Sequence, residues 1–548
     1  MYKFIMLSSL EKVFTDYTEP EKEYTSASSF LNEIFSYQIA YKATDEVGWM
    51  FRTDFDVSVE SELKDCITLC EVVNVPSEYP VRDIDGDEDI LRSSPGLYPD
   101  LLSQLEDGRI SATKNTFHSL WVKINPDGKY AAGKYTVKLR FSSGFGEYEK
   151  TFTLELIDKL LPEQETIFTN WFHSDCIGSV YGVRVFSEKY WSLVEKFMKA
   201  ASESGVNMIL TPLFTPPLDT EIGGERPTVQ LVGVTKKAAG YEFDFSLLDK
   251  WIDLSEKCGI RYFEMSHLFT QWGAKAAPKI IATVNGRKKR IFGWDTPADS
   301  REYICFLDEF LPALKKHLTE KGIAERCVFH ISDEPSGEEQ HAAYIRAKNI
   351  ISRHLEGFKI VDALSDIGFY KSGAVTNPIP ATDAIEPFLE EDIGERWTYY
   401  CCGQIKGCSN QFFGMPSARN RIIGAQMYKY NIKGFLQWGF NFYYTGLSRG
   451  VIDPFRTTDA KCCFPSGDAF RVYPGKDGPM ESVRLCVFRD ALTDIRALKL
   501  LETYIGHEAV VGLIEEKLGH IAFTMEPVSA EQILTMREAV NEEIKKYC

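Results

Sequence analysis

The pattern of this chain changes at Pro162, and that change restricts the folds open to it. Before Pro162 the readable elements are β-rich. Phe117 to Ile124, Gly133 to Ser142 and Glu147 to Ile157 read as strands, parted by turn signals at Asn125-Pro126-Asp127-Gly128 and Ser142-Ser143-Gly144. Strands at this spacing suggest a β-sandwich. After Pro162, strand-length apolar runs alternate with helical patterns. The candidate strands are Thr166 to His173, Asn207 to Phe214, Arg261 to Leu268, Cys327 to Asp333, Lys359 to Ser365, Ala384 to Pro387, Thr398 to Cys402 and Gly434 to Asn441. Eight strands interleaved with helices are the number that closes a (β/α)8 barrel.

The intervening helices have their own signals. Ser187 caps a run that places Trp191, Val194, Met198 and Ala201 on one face. Pro297 starts another, with Tyr303, Phe306, Phe310, Leu314 and Leu318 at helical spacing, and Ser417 opens a helix that stops at Gly434. An open doubly wound sheet is the competing architecture. No glycine-rich turn follows the first strand, which removes the usual mark of a nucleotide-binding sheet. The expected fold is an N-terminal β-sandwich over 1–162 and a (β/α)8 TIM barrel over 163–460. A C-terminal loop and helical region over 461–548 packs on the barrel, with helices at about Ser482 to Tyr504 and from about Ala530. A chain of 548 residues is long enough to need more than one core.

A formal charge of −17 argues against a nucleic-acid partner, which needs a basic face. No run approaches the ~18 apolar residues of a spanning helix. Met1 to Phe14 carries Lys3, Glu11 and Lys12 and lacks the apolar centre of a secretory signal, so a cytoplasmic location is expected. The 13 cysteines are an odd number without a CxxC framework and read as reduced thiols. The vicinal pairs Cys401-Cys402 and Cys462-Cys463 suit neither ordinary bridges nor a zinc site. The acidic run Asp83 to Asp89 departs from a calcium loop, with glycine at its fourth position and Ser94 where the closing Glu belongs.

The chemistry is expected at Val328-Phe329-His330-Ile331-Ser332-Asp333-Glu334-Pro335. An apolar strand ends there in two adjacent carboxylates, and Pro335 biases Glu334 towards extended backbone. Ser336-Gly337-Glu338-Glu339 follows as a Ser-x-x-Glu capping box. Acids at the C-terminal end of a barrel strand sit where this fold keeps its catalysts. Neighbouring residues on a strand point to opposite faces, so the pair cannot flank one sugar ring as two independent carboxylates do. A division of labour fits better, with one carboxyl acting on the leaving oxygen and the other orienting a group beside it. Mutual repulsion would make one of them titrate late, and Glu334 is the expected one. A metal held by His330, Asp333 and His341 is geometrically poor, and no metal or organic cofactor is expected.

The motif His330-Ile331-Ser332-Asp333-Glu334-Pro335 resembles the catalytic motif of glycoside hydrolase family 123, the β-N-acetylgalactosaminidases. Ser94 to Asp100, Leu120-Trp121-Val122 to Gly133-Lys134-Tyr135, Phe263-Glu264-Met265-Ser266-His267, Gly434 to Trp438 and Ser482 to Asp494 are similar to that family as well. The resemblance implies a retaining, exo-acting hydrolase that releases β-linked N-acetylgalactosamine from glycans or glycolipid oligosaccharides. It implies an oxazoline intermediate, Asp333 orienting the substrate acetamido group, and Glu334 as general acid/base. Other strand-end residues are candidate sugar contacts: His173, Asp175, His267, Trp272, Trp438, Asn441, and whichever of Tyr399 and Tyr400 faces the barrel axis. A β-hexosaminidase-like glycosidase of other specificity and a non-catalytic carbohydrate-binding protein are the alternatives. Oligomeric state is not legible.

Overall fold

The computed structural model describes residues 2–44, 51–82, 87 and 89–548. Most of the acidic run 83–89 lies outside these residues. The N-terminal part is a sandwich of two five-stranded sheets. One sheet orders Tyr2–Ser8, Phe35–Ala43, His118–Ile124, Ile67–Ser77 and Gly96–Gln104; the other orders Ser26–Phe30, Gly146–Ile157, Gly133–Ser143, Arg52–Glu60 and Arg109–Thr113. Alternation explains the packing. Val137, Leu139 and Phe141 point inward against Tyr37, Leu120 and Phe152, while Lys138 and Arg140 stay towards water.

The eight-stranded sheet that follows is parallel. Its strands, in chain order, are Ile167–Asn170, Met208–Thr211, Tyr262–Met265, Cys327–Phe329, Lys359–Ala363, Asn377–Ile379, Trp397–Tyr399 and Gly434–Gln437. Tyr399 closes the barrel by donating its N–H to the Pro380 carbonyl at 3.1 Å and accepting from the Thr382 N–H at 2.9 Å. The fold is therefore an N-terminal β-sandwich followed by a TIM barrel.

Three expectations are corrected here. The sixth strand is not Ala384 to Pro387 but Asn377–Ile379. Pro378 and Pro380 disguise it, since proline cannot donate to a ladder, while Pro387 starts a helical turn, Glu386–Leu389. The fourth strand ends at Phe329 rather than Asp333. The Asp362 carboxylate captures the N–H groups of Ile331 and Ser332, at 3.1 and 3.3 Å, and draws the chain off the ladder. The Ser336 hydroxyl does not cap the next helix, Gly337–Ile351; Glu339 pairs with Lys275 instead, at 3.0 Å.

Helices Val483–Ile505 and Ala530–Lys545 lock the sandwich to the barrel, with His507–Leu518, unread in the sequence, between them. Arg537 bridges Glu33 and Asp494 at 2.8 and 2.9 Å, and Arg484 holds Asp100 through two bonds of 2.8 and 3.0 Å. No helix among the described residues is long and apolar enough to cross a membrane. No cysteine among them is bridged.

Candidate active site

The C-terminal ends of the barrel strands open into a cleft. Asp333, Glu334, Tyr399 and Trp438 line it, with Trp171, Leu218, Ala363, Leu436 and Phe464 as its apolar walls. Trp272, 43% exposed, stands at the rim.

Asp333 and Glu334 reach this cleft through an unusual backbone. Glu334 has φ of 44°, in the left-handed region, rather than the extended geometry that Pro335 favours. Such a conformation costs about 1–3 kcal/mol and persists only where neighbours impose it. Here the Glu334 N–H donates to the Ala363 carbonyl at 3.1 Å, and the Asp333 carbonyl accepts from the Trp272 N–H at 3.1 Å. Trp272 is itself left-handed, with φ of 58°. The Trp272 N–H thus holds the carbonyl that precedes Glu334, at the cleft mouth.

The two carboxyls have different surroundings. Glu334 Oε1 accepts the Tyr399 hydroxyl at 2.6 Å, and Cys401 Sγ lies 4.0 Å from the same oxygen. Burial, followed by the Glu334 charge, pushes the Tyr399 phenol up, so it stays a neutral donor. The Asp333 carboxylate has no hydrogen-bond partner among the described residues. Burial, and then the charge of Glu334, push it well above the usual carboxylate range, while His330 opposes them. The sequence reading placed a raised acid at Glu334; burial and the neighbouring charge put the upward shift on Asp333.

Several sequence candidates lie elsewhere. His173 and Asp175 are consumed by the buried Arg226. Its guanidinium donates to both Asp175 oxygens at 2.8 and 2.7 Å and approaches His173 Nδ1 at 3.1 Å. His173 Nε2 meets the Trp438 carbonyl at 2.8 Å, so this knot supports the cleft from behind. Asn441 clasps the His173 backbone at 2.8 and 3.1 Å. Tyr400 points away from the axis, donating to Asn420 and accepting from Arg471. His267 is buried beneath the cleft, and neither ring nitrogen has a partner. Burial and the nearby His330 push its pKa well below the ordinary value, so the ring is neutral.

Sequence reasoning also missed residues that matter here. Asp219 and Gln271 line the cleft, and burial raises the Asp219 carboxyl to about 6. Asp468 accepts the Trp438 indole N–H at 3.0 Å and is raised by burial to about 7. Both lie on loops, where no periodicity marks them. Glu264 did carry a signal, a charge inside the apolar strand Tyr262–Met265.

Ligand atoms of His267, His330 and Asp362 lie within 4.8 Å of one another. They do not suit a metal ion. The two imidazole rings stack 4.4 Å apart at 22°, so their in-plane lone pairs run side by side rather than converge. Both His330 nitrogens already face carboxylate oxygens, of Glu264 and Asp362.

Among curated proteins none matches the chain significantly. Among solved structures it is similar to a family 123 glycoside hydrolase from Clostridium perfringens, studied for glycolipid glycan hydrolysis. That match has a TM-score of 0.72 at 16% identity and covers 100% of this chain and 99% of that one. A β-glucuronidase from Parabacteroides merdae matches with a TM-score of 0.29 at 11% identity, over 90% of this chain and 52% of that one. The first likeness speaks to the fold alone. The profile described as glycoside hydrolase 123, catalytic domain, matches residues 171–501, which takes in every strand end lining the cleft. The chain belongs to glycoside hydrolase family 123.

Proposed function

We propose that this glycoside hydrolase is a retaining, exo-acting β-N-acetylgalactosaminidase that uses its substrate's acetamido group as the nucleophile. The observation that carries the reading is the pairing of a partnerless Asp333 carboxyl with a Glu334 carboxyl held by Tyr399 in one apolar-walled cleft. Asp333 has an open lone pair for the acetamido N–H, and that bond would favour its ionised form. Ionised Asp333 would then steer the acetamide oxygen to the anomeric carbon. Glu334 would protonate the departing oxygen and later activate water, the substrate-assisted exception to the two-carboxylate scheme. The leading substrate class is the glycan of glycolipids, the class hydrolysed by the Clostridium perfringens relative.

Hydrolysis of paired aryl β-GalNAc and β-GlcNAc substrates by wild type, Glu334→Gln and Asp333→Asn tests this. Wild type is expected to prefer GalNAc. The Gln variant should lose about 10²- to 10⁴-fold, the usual worth of a general acid. Release of neither sugar by wild type would overturn the exo-acting reading.

A further inference from the structure

Beneath the acid pair lies a charged cluster that the reaction scheme does not use. His330 Nε2 is 2.5 Å from Glu264 Oε1, and Nδ1 is 3.2 Å from Asp362 Oδ1. Each carboxylate is further anchored. Glu264 accepts the Trp171 indole N–H at 2.8 Å and the Thr169 hydroxyl. Asp362 accepts the Tyr344 hydroxyl and the N–H groups of Ile331 and Ser332, at 3.1 and 3.3 Å. All three residues are buried.

We propose that Glu264, His330 and Asp362 form a carboxylate–imidazolium–carboxylate clamp that positions Asp333 and supplies the fixed cation against which Asp333 ionises. The proposal rests on Asp333 being the acetamido-orienting residue. Its geometry is specific. An imidazole with an acceptor carboxylate at each nitrogen satisfies both only when both nitrogens carry protons. Asp362 also grips the two backbone N–H groups before Asp333, so one residue fixes both the cation and the path of the loop.

Burial raises the Asp362 carboxyl, while its bonds from His330, Tyr344 and Ile331 oppose that and favour the carboxylate. Burial alone would neutralise His330, but Glu264 and then Asp362 raise it to about 10. The stacked ring of His267 is neutral and adds no competing charge. On the helix Gly337–Ile351, Tyr344 and Lys348 face Asp362 rather than His330. Facing Asp333 are Glu334 on its own loop, Asp362 and Glu264, all raising its pKa, and His330, which lowers it.

Two readouts test the clamp. In ¹⁵N-histidine-labelled wild type, one imidazole is expected to show the doubly protonated signature from pH 6 to 9 and to vanish in His330→Gln. A neutral His330 at pH 7 would overturn the proposal whether or not any substrate is turned over. The second readout is the acidic limb of kcat/KM for aryl β-GalNAc. It should move up by about one pH unit in His330→Gln and down in Asp362→Asn, which keeps an acceptor for Ile331 and Ser332. Equal losses at every pH, with the limb unmoved in both variants, would mark a merely structural role and refute the charge assignment. If wild type cleaves neither aryl sugar, the functional reading fails while the imidazolium signature still decides the clamp.

Discussion

Asp468 gives the sharpest test of the electrostatics. Its Oδ2 accepts the Trp438 indole at 3.0 Å, while its Oδ1 is buried with no partner. Burial, with the Glu334 charge adding, moves the carboxyl from 3.8 to about 7. In the unfolded chain the same group titrates near ~3.9. The folded state therefore binds the extra proton between about pH 4 and pH 7. The stability it contributes is fully present below about pH 4 and is lost as pH rises through about 7. A rise of roughly 3 units at about 1.4 kcal/mol each amounts to about 4 kcal/mol forfeited at pH 8. Asp468→Asn removes that titration and keeps an oxygen for Trp438. The advantage of the variant over wild type should then grow by about 3 kcal/mol between pH 5 and pH 8, because the first third of the loss already falls below pH 5. Urea unfolding followed by tryptophan fluorescence at the two pH values measures it. A gap that is equal at both, or smaller at pH 8, would refute the argument that Asp468 is a neutral, buried acid.

Other perturbations separate holding from binding. Tyr399→Phe removes the hydroxyl from Glu334 Oε1, a hydrogen bond worth about 0.5–1.5 kcal/mol, so kcat/KM for an aryl β-GalNAc should fall about 2- to 10-fold without loss of fold by circular dichroism. Trp272→Ala takes away an exposed ring at the rim. It is expected to raise KM for oligosaccharides with kcat within about twofold, the pattern of lost uniform binding. Asp175→Asn leaves Arg226 buried without its counter-charge. A loss of about 3–5 kcal/mol in urea unfolding is expected, showing that this pair supports the cleft rather than touches sugar.

The place of the acid pair at the cleft was legible because an apolar run leading into two carboxylates marks a barrel strand end, although the strand itself stops at Phe329. The barrel was legible because seven of the eight runs fall on its strands, and the sixth errs by a few residues next to the strand it stands for. The directions of individual strand-end side chains were not. These strands have only three to five residues, so a candidate two or three positions past the end has left the alternation that would orient it. Tyr399 is the last strand residue and faces the axis; Tyr400 is the first beyond it and does not. His173, Asp175 and Asn441 lie past their strands and fold back on one another. Asp219 and Asp468 are placed by loops whose geometry no local pattern encodes. The extended backbone expected for Glu334 failed for a related reason. Local preference before proline is a fraction of the bracing that Ala363, Tyr399 and the Asp333–Trp272 bond apply together.

The barrel mouth concentrates negative charge. Asp219, Asp333 and Glu334 line it, and Glu264, Asp362 and Asp468 lie behind its wall. Such a set would repel itself apart were all of it ionised. The structure relieves this by raising the Asp333 and Asp468 carboxyls and by setting His330 between two of the others. What remains is an anionic cavity suited to a transition state that gathers positive charge at the anomeric carbon. The same field works against an anionic sugar in the first subsite. A uronic acid would bring its own carboxylate beside Asp219 and into this field, and like charges within a few Å in such a cleft cost about 4 kcal/mol at an effective dielectric of 20. An aryl β-glucuronide should therefore be cleaved at least ~10³-fold less efficiently than an aryl β-GalNAc at pH 7. Comparable kcat/KM for the two would mean that a cation not accounted for by His330 and Arg226 reaches the cleft, and the electrostatic reading of the site would fall.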